Sequence, residues 1–69
     1  MEKRYISIAG HRTSIALEPE FWAVLSAMAT EAGLALPALV KSIDEARTLT
    51  NLSSALRVAA LTWAQTHKS

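Results

Sequence analysis

Hydrophobic and polar positions alternate near the start of the chain and then settle into helical spacing. In Thr13-Ser14-Ile15-Ala16-Leu17-Glu18 the apolar Ile15 and Leu17 share one side, and Arg12, Ser14 and Ala16 share the other. Period two with a β-branched residue predicts a strand. Upstream, Tyr5-Ile6-Ser7-Ile8 also alternates, but there the apolar residues are even-numbered. The phase flips across Ala9-Gly10. A slip of one residue exchanges the two faces of a strand, so Gly10 marks a bulge or bend, and the two segments are not one straight strand.

From Pro19 the period lengthens. Phe21, Trp22, Leu25, Met28, Ala29 and Ala32 recur at helical spacing. Proline suits a first helical turn and Gly33 a C-terminal stop, which predicts a helix over 19–32. Glu18 and Glu20 favour its positive end. A second helix is expected over 36–47, with Leu36, Leu39, Val40 and Ile43 as its stripe and no Ser or Asp at its start. A polar break through 48–51 separates it from a third. Asn51 is a good N-cap there, Leu52, Leu56, Ala59, Ala60 and Trp63 form the apolar side, and fraying is expected near Thr66.

Composition makes this arrangement look incomplete. In 69 residues, 13 hydrophobic positions are only alanine, and the large core formers Leu, Ile, Val and Phe number 17. A domain this small buries only about 60% of the surface its unfolded chain exposes. There is no cysteine, so neither a disulfide nor a thiolate metal site supplies the difference. No cofactor is implied. A net charge of +1 excludes a polybasic tail or an acidic solvating protein. No apolar run reaches the roughly 18 residues of a membrane span, and no signal-peptide pattern follows Met1. A cytoplasmic protein without membrane contact is the expectation.

A lone strand leaves backbone groups unpaired. Either 4–8 folds back on 13–17 as a hairpin, turning through 9–12, or the strand pairs with its copy in a second chain. The hairpin places Ile6 and Ile8 beside Ile15 and Leu17. The second arrangement closes the ladder by two-fold symmetry and supplies the missing core, so it is preferred. The expected fold is mainly α with one short β-strand: an arm over 1–9, a domain over 10–66 and a tail over 67–69. Thr13, Ile15, Leu17, Trp22, Leu25, Leu39, Val40 and Ile43 are assigned to the dimer core.

The run Gly10-His11-Arg12-Thr13-Ser14-Ile15-Ala16-Leu17-Glu18-Pro19-Glu20-Phe21-Trp22 resembles the strand-into-helix signature of ribbon-helix-helix proteins, the Arc/methionine-repressor superfamily. It is most similar to a small bacterial subgroup with an HRTS…LEPEFW motif. Gly33–Val40, Ile43-Asp44 and Asn51–Arg57 resemble that subgroup too, so the likeness covers roughly 8–61. It departs where the second helix usually opens with Ser, since this chain reads Ala35-Leu36-Pro37.

The resemblance implies a homodimer with an intermolecular two-stranded antiparallel ribbon and three helices per chain. It implies sequence-specific binding of double-stranded DNA as a transcriptional repressor or autoregulator, with higher oligomers on DNA. The ribbon enters the major groove. Arg12, Ser14 and Ala16 would then face the bases. Phosphate contacts are expected from the start of the second helix at Leu36 and Ala38, from Lys41, from Lys3 and Arg4 on a mobile arm, and from His11.

Three other readings compete. His11 with Ser14 hints at nucleophilic catalysis, but their opposite parity separates them and no oxyanion loop accompanies them, so no enzyme is expected. The second and third helices flank a short break, as in a helix-turn-helix reading through Ser53, Ser54 and Arg57. Last, the third helix's apolar stripe suits a protein-interaction module or antitoxin-like adaptor. Arg57 is expected to pair with Asp44 or Glu45, or to touch DNA.

Overall fold

In a computed structural model the described residues are 1–47 and 51–66. The expected break at 48–50 and tail at 67–69 lie outside them. In chain order the elements are β1 (Glu2–Ile8), β2 (His11–Leu17), α1 (Pro19–Ala32), α2 (Leu36–Ala46) and α3 (Leu52–Thr66). The chain is thus mainly α, with a two-stranded antiparallel sheet followed by three helices.

The sheet corrects two expectations. Residues 2–8 are a strand rather than an arm, so the described residues carry two strands, not one. The partner of β2 in the ribbon is β1 of the same chain, from Glu2 opposite Leu17 to Ile8 opposite His11. The phase flip explains why. A two-residue loop pairs even positions with odd ones, so Ile6 and Ile8 must be even to share a face with Ile15 and Leu17. The flip marks a tight turn, not a kink in one strand.

Both loop residues have positive φ, Ala9 at 52° and Gly10 at 82°. That is the requirement of a type I′ turn, whose twist matches the flanking strands. Glycine meets it freely. Alanine does so at a cost of roughly 1–2 kcal/mol. Ala9→Asn, giving the preferred Asn-Gly turn, should therefore stabilise the fold by about 0.5–1 kcal/mol, which for a domain of this size raises Tm by a few degrees. A thermal melt that moves down would show that the turn is not what limits the hairpin.

Local signals set the helix ends. Glu18 precedes α1 in an extended conformation, and its carbonyl accepts from Phe21 N–H at 2.9 Å. Gly33 closes α1 at φ 70°, with its N–H on Thr30 O and that of Leu34 on Ala29 O, as in a Schellman motif. α2 ends at Ala46, one residue earlier than expected, because Arg47 turns extended. The Asn51 side chain caps α3 by accepting from Ser54 N–H at 2.8 Å.

The three helices cover the inward face of the hairpin. Ile6, Ile8, Ile15 and Leu17 pack there with Trp22, Leu25 and Ala29 of α1, Leu39 and Val40 of α2, and Leu56 and Ala60 of α3. Of the residues assigned to the dimer core, Ile15, Leu17, Trp22, Leu25 and Val40 are 0–2% exposed within the single chain. Leu39 is also buried, and Thr13 and Ile43 are half-buried. Among the described residues no single helix is long and apolar enough to cross a membrane.

Candidate nucleic-acid interface

Since the helices take one side of the hairpin, the other side is left to solvent. The register puts Lys3 opposite Ala16, Tyr5 opposite Ser14 and Ser7 opposite Arg12 there. Five of these six are exposed and Ala16 is half-buried. This outward face carries two cations and no carboxylate.

Arg12, Ser14 and Ala16 lie together as the alternation of β2 requires. Tyr5 and Ser7 join them, and these two were missed by reading the strand alone. Their signal was present in the sequence: once the loop is two residues long, odd positions of β1 must share the face of even positions of β2. The Arg12 guanidinium lies over the Tyr5 ring, 4.8 Å from its centroid, and the Lys3 ammonium is 5.8 Å from the same ring.

The residues expected to meet phosphate separate. Lys3 is on the outward face. Arg4 has the opposite parity. It pairs with Glu2 and lies 4.8 Å over the ring of Trp22, whose Nε1–H donates to Glu2 O at 2.8 Å. Arg4 therefore pins β1 to α1 and does not belong to a mobile arm. His11 is exposed at the end of β2 and lines a cleft with Ile8, Thr13, Asp44, Arg47 and Leu52, on the opposite parity from Arg12. At the start of α2, Ala38 does not offer a free N–H, because it donates to Ala35 O at 3.0 Å, and Pro37 has none to offer. Leu36 is half-buried and Lys41 exposed.

Arg57 is placed differently from either expectation. It bonds Glu18 Oε1 at 3.0 Å, joining α3 to the junction of β2 and α1. The Glu18 carboxyl is held below the ordinary glutamate range, first by a hydrogen bond from its own backbone and then by Arg57. Asp44 instead pairs with Arg47. Arg57 is thus engaged with Glu18, and Ser53 and Ser54 are half-buried. Among the described residues no group of three or more His, Asp or Glu side chains is placed to hold a metal.

A model of the ribbon-helix-helix domain matches residues 1–64, which takes in both strands and nearly all of α3. The chain belongs to the ribbon-helix-helix family. No curated protein and no solved structure matches it significantly. Ribbon-helix-helix domains are typically DNA-binding transcription regulators that act as dimers, and the family is regulatory rather than enzymatic. The match begins at residue 1, consistent with β1 being part of the domain.

Proposed function

We propose that the outward face of the hairpin reads double-stranded DNA in the major groove, and that the protein is a homodimeric, sequence-specific transcriptional repressor or autoregulator. The observation that carries this is the grouping of Lys3, Arg12 and Ser14 on the solvent side of a two-stranded ribbon that bears no acid there. Paired strands lie about 4.8 Å apart, and the groove is about 12 Å wide and admits such a ribbon. Arg12 is the residue for a guanine edge, forking onto O6 and N7. Ser14 can donate or accept, and Ala16 offers a methyl to a thymine methyl. Lys3, the Leu36 N–H and Lys41 are the phosphate ligands, which position the protein without reading sequence.

The test is a titration of a duplex selected by the wild-type protein from a random pool. A bidentate arginine contact contributes about 1–3 kcal/mol of discrimination, so Arg12→Ala should lose roughly ten- to a hundredfold in preference over random DNA. Its circular dichroism should be unchanged, because Arg12 is exposed on the outward face and is not part of the core cluster. An Arg12→Ala protein that keeps the wild-type preference would remove the ribbon as reader. A second reading, partner binding through α3, is favoured by Val58 and Leu61, exposed at 62% and 54% one turn apart. Wild-type protein that shifts no duplex at any salt would support that reading instead.

A further inference from the structure

The middle of the outward face belongs to β1. Tyr5 has Lys3 and Ser7 two residues away on its own strand, Ser14 directly opposite, and Arg12 and Ala16 on the diagonals. Diagonal neighbours across an antiparallel pair are within reach of aromatic and long side chains, and Arg12 uses that reach, with its guanidinium 4.8 Å from the ring centroid. Yet the ring is 56% exposed, and its cross-strand partner is a serine. A large aromatic held half in water on a sheet's solvent side contributes little to the core, which is complete on the other side without it.

We propose that Tyr5 is a positioning residue for Arg12: its ring fixes the plane of the guanidinium, so that the fork meets a guanine edge already oriented. This rests on reading the outward face as the DNA interface, and it extends the specificity-determining set from β2 to β1. The physical reason is entropy. An arginine side chain free in solvent must be ordered when it makes two parallel hydrogen bonds, whereas one stacked beforehand loses less on binding. Stacking uses the face of the guanidinium and leaves its edge donors free for O6 and N7. Lys3, 5.8 Å from the ring, is a point charge without that planar fork and gains no comparable orientation. It stays available to phosphate.

The experiment uses the duplex selected from a random pool and the same duplex with 7-deazaguanine in place of guanine, which removes the N7 acceptor. The readout is the ratio of the two affinities. Tyr5→Phe keeps the ring and should keep the ratio. Tyr5→Thr keeps strand propensity but loses the ring, and the ratio should fall about two- to fivefold, the worth of an exposed cation–π contact. In an Arg12→Ala background, Tyr5→Thr should change nothing further. In the DNA-free protein, ring-current shifts of the Arg12 side-chain protons should be present in the wild type and in Tyr5→Phe and absent in Tyr5→Thr. A wild-type ratio in Tyr5→Thr overturns the inference while leaving Arg12 as reader. An equal loss in the Arg12→Ala background overturns it by showing that Tyr5 acts on DNA directly. An unchanged ratio in Arg12→Ala itself removes the DNA-reading face, and this inference with it.

Discussion

Trp22→Ala is expected to leave much of the chain unfolded at ambient temperature. Trp22 is 1% exposed at the centre of the core. It also makes the polar link between α1 and the hairpin, through Nε1–H to Glu2 O, with the Arg4 guanidinium stacked on its ring. Truncating a buried tryptophan to alanine costs about 3–5 kcal/mol. A domain of this length is stable by roughly 3–10 kcal/mol in all, so the loss is comparable to the whole. Trp22→Phe separates the two contributions. It keeps most of the apolar bulk but removes the donor to Glu2 O, at about 1–3 kcal/mol. Urea unfolding followed by circular dichroism should place the phenylalanine variant between the wild type and the alanine variant. Equal midpoints for all three would mean that the hairpin is not anchored through α1.

The parts of this fold legible in the sequence are those set by neighbours a few residues apart. Pro19, Gly33 and Asn51 fix helix ends by backbone geometry and short-range caps, and α1 has the expected limits, 19–32. The outward parity of Arg12, Ser14 and Ala16 follows from period two alone. The partner of β2 was harder, because a strand's periodicity says which face is buried and nothing about which edge is paired. The local signal for a hairpin was weak at one position. Asn-Gly would have announced a type I′ turn, whereas Ala9-Gly10 places alanine at φ 52°, where alanine is uncommon. Treating 1–9 as an arm then erased the difference between Lys3 and Arg4, which are adjacent in sequence yet on opposite faces. The Arg57–Glu18 pair joins residues 39 apart, and nothing in the local pattern of either segment encodes it.

The small core does not by itself demand a second chain. Counting a single strand leaves Ile6 and Ile8 out of the core. With β1 in place, both are 6% exposed, and the single chain closes its own inward face. A dimer, where formed, has to use what is still exposed rather than complete a half-built core.

Deleting β1 distinguishes an arm from a strand directly. If 1–8 were an arm, its removal would leave the domain folded and weaken only its hold on phosphate. With β1 as the inner half of a hairpin, the deletion removes Ile6 and Ile8, each of which costs about 2–5 kcal/mol when merely cut back to alanine. It also takes away the carbonyl that accepts from Trp22 and the stacked guanidinium of Arg4. β2 would then have two bare edges, a template for uncontrolled pairing with other chains. The expected result is a protein without a cooperative thermal transition that sediments as heterogeneous aggregate. The informative contrast is Lys3→Ala in the full chain, which removes the charge and keeps the strand. It should melt as the wild type does, while its slope of log affinity against log salt becomes shallower by about 0.9 for each phosphate no longer neutralised. A deletion variant that melts cooperatively as a discrete dimer would return the ribbon to the intermolecular form, with β2 paired to its copy where β1 now lies.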